Sequence, residues 1–255
     1  MKNAKPLVSI LLPVRNNQKN LSTCLKSLRT QNYKNIEIIA VDDKSCDTSL
    51  KILKQERSRD KRIRLISNKK QYGVSVCLNR AVKKAKGDFL AFMNPNDVSK
   101  KTRMQKQINF LLENKKVVAV GTNTELIDKN GDKLGKFIFP KDHGDIYQRL
   151  MSGLSMQFET AMINKHLLPK DIIYFEKNTY PFYFSELFVK LCPYGLFANI
   201  DKSLYYKRYT PTSAWQKIKQ YPTLIKLFLK SKTLYHYHGS IWSIFLPLKT
   251  LIISR

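Results

Sequence analysis

Apolar residues run through this chain in two rhythms. Short runs with β-branched members, Val8-Ser-Ile-Leu-Leu-Pro-Val14, Ile36-Glu-Ile-Ile-Ala-Val41 and Phe89-Leu-Ala-Phe-Met93, each break off into polar residues. Runs of this length and composition predict strands covered on both faces. Between the first two, Leu21, Leu25 and Leu28 recur at helical spacing, with Ser22, Lys26 and Arg29 turned the other way. Strand, helix and strand in so short a span predict a parallel pair. A helix over roughly 48–57, a strand over Arg62-Ile-Arg-Leu-Ile66 and a helix with Val74, Leu78, Ala81, Val82 and Ala85 on one face continue the alternation. Gly73 opens that helix, and Gly87 is expected to close it as a C-cap glycine.

Further on, the spacing predicts a helix over about 101–114 with Ile108, Leu111 and Leu112 inside, then a strand over 117–121. Asn130-Gly131 marks a hairpin turn. A short helix over 145–151, a strand over 158–163, a helix over 185–191 and two short edge strands over 197–200 and 204–209 follow. The alternation up to Gly121 predicts a doubly wound α/β core. Ligands of such sheets sit beyond the carboxyl ends of the strands. Those ends carry Pro13, Arg15 and Asn16, then Asp42 and Asp43, then Asn94-Pro-Asn-Asp97, so the three tips are expected to face one crevice.

From about residue 213 the pattern changes. Ile218, Leu224, Ile225, Leu227 and Phe228 alternate with Lys217, Lys219, Lys226, Lys230 and Lys232, and the apolar run from Ile241 to Ile253 is broken by Pro247. No run reaches the length of a membrane span. Basic amphipathic character with Tyr235 and Trp242 predicts a helix lying in the interface of an anionic membrane; the alternative is a helix pair packed on the core.

Composition bears on partners more than on fold. The chain has 255 residues, 43% hydrophobic, which suits one α/β domain with a tail. Its 46 basic residues against 19 acidic ones, a net charge of +27, point to anionic partners. The lysines are spread over the whole length and no nucleic-acid-binding motif accompanies them, so phosphorylated small molecules and membrane surfaces are the better match. Cys24, Cys46, Cys77 and Cys192 have no metal or redox spacing and read as reduced thiols of a cytosolic compartment. The N-terminus runs directly into the first strand without a signal-peptide pattern.

Taken in order, Pro13-Val-Arg-Asn16, Ile39-Ala-Val-Asp-Asp43, Gly73-Val-Ser-Val-Cys-Leu-Asn79, the stretch from Ala85 to Asp97, Val120-Gly-Thr122 and Leu126-Ile-Asp-Lys-Asn-Gly131 resemble the family-2 glycosyltransferases of the GT-A fold. The match covers roughly residues 7–212 and is most similar to bacterial enzymes that build lipopolysaccharide, capsule and other surface glycans. The resemblance implies a Rossmann-like core with a mixed, mostly parallel sheet over 1–212, followed by a helical basic tail over 213–255. It implies transfer of a sugar, with inversion, from a nucleotide-sugar donor to a hydroxyl of a glycan or glycolipid acceptor. The place implied is the cytoplasm, peripheral on the inner face of the cytoplasmic membrane.

The resemblance also places residues. Asp43 matches the aspartate that bonds the nucleobase, with a turn-capping carboxylate as the alternative reading. Pro13 and Arg15 match the base pocket, and Asn16, Asp42, Asn94 and Asn96 surround the nucleotide-sugar. A divalent metal, Mn or Mg, is implied beside the diphosphate, at Asn96 and Asp97. The family's motif there is Asp-x-Asp-Asp, so Asn94 and Asn96 replace carboxylates, and an amide oxygen binds a hard cation more weakly. Lys69, Lys70 and Arg80 are the alternative source of positive charge for the leaving group. The family's base position falls on Phe184, which leaves Glu186, two residues on, as the nearest carboxylate, with a surface carboxylate on the helix as the alternative reading. Two readings follow: a transferase with altered catalytic groups, or a catalytically silent homologue that binds nucleotide or serves as a scaffold.

Overall fold

Residues 5–179, 181–210 and 219–245 are described by the computed structural model. The first half builds strands β1 (Val8–Val14), β2 (Ile36–Asp42), β3 (Ile63–Ser67) and β4 (Phe89–Phe92), joined by helices α1 (Leu21–Arg29), α2 (Ser49–Arg59) and α3 (Val74–Lys84). The second half adds β5 (Val98–Ser99), α4 (Arg103–Glu113), β6 (Val117–Ile127), β7 (Lys133–Phe137), α5 (His143–Gln148), β8 (Met162–Asn164), α6 (Tyr183–Leu191), β9 (Leu196–Arg208) and a last helix, α7 (Tyr221–Tyr235). Among the described residues one sheet runs in the order β3-β2-β1-β4-β8-β6-β9-β5, with β7 paired to β6. The pairs β3-β2, β2-β1 and β1-β4 are parallel, whereas β8 runs antiparallel to both β4 and β6.

Alternation along the strands sorts the core into two layers, because successive side chains leave opposite faces of a sheet. Ile10 and Leu12 of β1 and Ile38 and Ala40 of β2 pack with Leu21, Leu25 and Leu28 of α1 and with Met104, Ile108 and Leu111 of α4. Leu11, Ile39 and Val41 point the other way, into a layer with Cys77, Leu78 and Ala81 of α3. Leu187 and Val189 of α6 and Leu224, Leu227 and Phe228 of α7 complete that second layer. The helix at the start of the predicted tail thus packs on the core, while residues 213–218 and 246–255 of that segment lie outside the described residues. Among the described residues no helix is long and apolar enough to cross a membrane.

Several sequence expectations need correction. Gly87 does not cap α3, which ends at Lys84 with an extended Ala85. Gly87 is needed instead for close approach: a Cβ there would stand 2.6 Å from the Ser9 nitrogen and 2.7 Å from the Leu7 carbonyl oxygen. Its own N–H donates to the Ser9 hydroxyl, which in turn donates to Glu37. Leu112 is half exposed, because the helix turns Ile108 and Leu111 inward and that face is already filled. The predicted edge strands over 197–200 and 204–209 are one strand, β9, which pairs in parallel with β6 and carries β5 on its other side. The predicted strand over 158–163 opens with a 3-10 turn, Phe158–Thr160, and only Met162–Asn164 pairs. The hairpin turn is as expected, and the carboxylate of Asp128 accepts from the backbone N–H groups of Asn130, Gly131 and Asp132.

Candidate active site

Beyond the carboxyl ends of β1, β2 and β4 lies a crevice of roughly 540 Å³. Pro13, Arg15, Asp43, Asn94 and Asn96 all line it, so the three strand tips are brought together. Asn16, Asp42, Asp97 and Glu186 do not line it. Asn16 holds the floor of the loop next door: it adopts a left-handed backbone, and its side-chain oxygen accepts from the N–H of Cys46 at 2.9 Å. Asp42 is buried, and one of its oxygens accepts from the N–H of Ser45 at 3.3 Å.

Asp43 is gripped from three sides. Asn68 Nδ2 at 2.7 Å, the N–H of Tyr72 at 2.8 Å and the N–H of Gly73 at 2.7 Å all donate to its carboxylate. Burial alone would raise the Asp43 pKa, but these hydrogen bonds outweigh it and hold the carboxyl below its usual range. Gly73 has φ of +89°, a conformation that favours glycine, and so lets the loop turn its N–H onto Asp43. Asp43 therefore organises the segment 68–73 and also faces the crevice. Tyr72 stands beside it with the Arg80 guanidinium 4.4 Å and the Lys70 ammonium 5.4 Å from its ring centre. Arg80 also donates to the Asn68 side chain, so this basic pair is committed to the loop.

The β4 tip is a network of amides. Asn96 Oδ1 accepts from the side chains of Asn17 at 3.1 Å and Asn20 at 3.2 Å, and Asn94 Oδ1 accepts from the N–H of Asn96. Asp97 turns inward, where its oxygens accept from the Tyr205 hydroxyl and the Arg208 N–H, each at 2.9 Å. Burial, reinforced by the negative charge of Glu159, pushes the Asp97 pKa up to about 7. This donor set does not fit a divalent cation: Asn96 offers a neutral oxygen already holding two amides, and both Asp97 oxygens serve the interior. Among the described residues no cluster of three or more His, Cys, Asp or Glu side chains could hold a metal ion.

Glu186 sits on α6, nearly fully buried under α7. One of its oxygens lies 2.8 Å from Lys230 Nζ of α7 and 3.5 Å from Lys190 Nζ, and it also accepts from the Tyr235 hydroxyl. Its expected alternative, a surface carboxylate, is corrected too: it is a buried partner of two lysines. Phe184 lines the crevice and stacks face to face on Phe158. Of the charged crevice residues, Lys177 and Glu159 escaped the sequence reading. Glu159 follows Phe158 on the 3-10 turn, and its placement depends on β8 slotting between β4 and β6, a pairing with no local signature.

Parallel strand tips bearing Pro, Asp and Asn around one crevice, on a sheet that turns antiparallel at β8, define an α/β protein of the GT-A class. The chain belongs to Glycosyl transferase family 2, whose sequence profile matches residues 9–168. It is similar to a UDP-Glc:alpha-D-GlcNAc-diphosphoundecaprenol beta-1,3-glucosyltransferase, WfgD, of Escherichia coli, with 31% identity over 183 residues, 71% of this chain and 70% of the relative. The alignments span between 47% and 63% of the lengths of three further curated relatives from Haemophilus influenzae and Bacillus subtilis. Among solved structures, S. aureus TarS 1-349 in complex with UDP-GlcNAc matches 98% of this chain and 73% of its own, with a TM-score of 0.73 and 18% identity. A mannosyltransferase from Pyrobaculum calidifontis, solved with GDP-Man and Mn2+, matches 99% and 76% with a TM-score of 0.69 and 15% identity. At those identities the likeness is one of fold.

Proposed function

We propose that this protein transfers a sugar, with inversion, from a nucleoside-diphosphate sugar to the hydroxyl of a glycan or glycolipid acceptor in the assembly of a cell-surface polysaccharide. The observation that carries the reading is the convergence of the β1, β2 and β4 tips on one crevice, with Asp43 ionised at its end. A carboxylate so placed accepts the imide N–H of a uracil, and Pro13 and the Arg15 guanidinium supply a flat wall for the ring. Asn94 and Asn96 stand where the diphosphate would lie. Arg15 and Lys177, both crevice residues, supply positive charge as the leaving group departs. The second reading, a nucleotide-binding homologue without transferase activity, is favoured by Phe184 and by the sealed Glu186.

The test is calorimetric titration with UDP and with GDP, each with and without manganese. UDP is expected to bind, and Asp43→Ala to weaken it at least tenfold, since the substitution loses the base contact and loosens the 68–73 loop. Unchanged affinity in the variant would remove Asp43 from the base pocket.

The acceptor's place bears on α7. Its Leu224, Leu227 and Phe228 face the core, while Ile225, Leu229, Lys226 and Lys232 face outward. Ile241 and Trp242, just beyond, are exposed as well. An outward face that mixes apolar and cationic groups suits the surface of an anionic bilayer on the cytoplasmic side, where a lipid-linked acceptor would be presented. Replacing Leu229 and Trp242 by serine should reduce sedimentation with phosphatidylglycerol vesicles at least fivefold. Equal sedimentation would place the membrane contact elsewhere.

A further inference from the structure

The position at which the family resemblance places a catalytic carboxylate is occupied by Phe184, and Glu186 is locked beneath α7. A transferase still needs a group to take the acceptor's proton. Two carboxylates line the crevice, Asp43 and Glu159, and Asp43 is already occupied by three hydrogen bonds at its far end. Glu159 is the one left. It also lines a smaller adjoining cavity of about 220 Å³, together with Gln157, Phe184, Ser185 and Lys207. Phe158, Glu159 and Phe184 line both spaces and so form the wall between them.

We propose that Glu159 is the base of the reaction, facing a donor in the larger crevice and an acceptor that enters through the smaller cavity. This rests on the transferase reading above. In the step, the Glu159 carboxylate takes the proton of the acceptor hydroxyl while that oxygen bonds to the anomeric carbon. The bond from the anomeric carbon to the diphosphate oxygen breaks, and the nucleoside diphosphate leaves with the electron pair.

The surroundings suit the role. The carboxylate is partly buried, with 17% of the side chain exposed, so it is sheltered yet reachable. Gln157 Nε2 donates to one oxygen, and Lys207 Nζ lies 3.5 Å from the other. Burial opposes ionisation, but Lys207 and Gln157 outweigh it and keep Glu159 a carboxylate at neutral pH, as a base must be. The backbone beneath is fixed: Gln107 Nε2 donates to the Thr160 carbonyl at 2.8 Å, and the Thr122 N–H donates to the Thr160 hydroxyl at 3.1 Å. Phe92 at the β4 tip packs on Phe158, which ties the turn to the strand that carries Asn94 and Asn96.

The experiment measures turnover, as nucleotide release from a panel of UDP- and GDP-sugars with water or simple glycosides as acceptor, together with UDP affinity. Glu159→Gln should lower kcat at least a hundredfold on the donor that the wild type uses, with UDP affinity within threefold of wild type. Adding Phe184→Asp to that variant, which restores a carboxylate across the same wall, should recover at least tenfold. A purely structural glutamate would not be rescued this way. Wild-type kcat in Glu159→Gln overturns the assignment while leaving the transferase reading intact. A matching loss of UDP affinity overturns it too, by making Glu159 a donor-binding group. A wild type that binds UDP but turns over no donor defeats the transferase reading itself, and the base falls with it.

Discussion

The two halves of the sheet treat their carboxylates in opposite ways. In the parallel half, β3-β2-β1-β4, Asp43 stands at a strand tip, takes its hydrogen bonds from a loop 25 to 30 residues further on and still faces the crevice. In the half built from β8, β6, β9 and the last two helices, Glu159 also lines the crevice, but side chains and backbone of this half turn two motif carboxylates to structure. Asp97 is held by Tyr205 and Arg208, and Glu186 by Lys230, 44 residues away. A motif carboxylate is thus a poor guide to chemistry where the chain folds back on itself over long range. What separates site from support is whether the carboxylate still lines the crevice, as Asp43 does and Asp97 and Glu186 do not.

The sharpest break between the halves would come at α7. If the last helix belongs to the core of the second half, Phe228→Ala should cost about 3–5 kcal/mol in urea unfolding, the range for emptying a buried phenylalanine site. Phe228 is 2% exposed and meets Tyr237 edge to face, so neighbours have little room to collapse into the gap. A cost below about 1 kcal/mol would make α7 an appended tail and leave the comparison without its second term.

Asp97 gives a smaller effect with a distinctive sign. Its carboxyl pKa of about 7 in the fold lies above the ordinary value of 3.8, so the folded state holds a proton that the unfolded chain releases. Stability from this group is full below the unfolded pKa and is lost as pH rises toward 7. Between pH 5 and pH 8 the loss is about 2–3 kcal/mol, from roughly two units at 1.36 kcal/mol each. Unfolding free energy measured across that window should fall by that much more in the wild type than in Asp97→Asn, whose side chain does not titrate. Parallel curves would mean that Asp97 ionises freely and is open to the crevice after all.

The same division explains what the sequence could tell. The apolar runs ending at Pro13, Asp43 and Asn94 name their own strands, and the helices between them follow from Leu21, Leu25, Leu28 and Leu78, because these contacts are local and periodic. Of the crevice lining, Pro13, Arg15, Asp43, Asn94 and Asn96 were legible from the strand tips, whereas Asn16 and Asp42 beside them do not line it. Glu159 was not legible, since its position depends on three residues of β8 pairing with both β4 and β6. Glu186 reads as a surface group in the sequence because its cover, α7, arrives from a segment whose lysines read as solvent-facing. Lys230 and Lys190 are the cations that bury it. Gly87 followed the same logic: a glycine after a helix reads as a cap, and only the neighbouring strand reveals the clash that a side chain would make.

The finest distinction concerns Asn96, which lines the crevice together with the other altered residues, Asn94 and Phe184. Its amide oxygen is spent on Asn17 and Asn20, and a neutral oxygen holds a hard cation weakly. Asn96→Asp keeps the size and adds the charge. The amide groups of Asn17 and Asn20 would still have an acceptor, and the second oxygen would be free to help hold a metal beside the diphosphate. UDP affinity with manganese should then rise about tenfold, about 1.4 kcal/mol, with little change when manganese is withheld. If affinity is the same in both conditions, the side chain faces away from the diphosphate, and the crevice would hold its nucleotide through Asp43 and the cations Arg15 and Lys177.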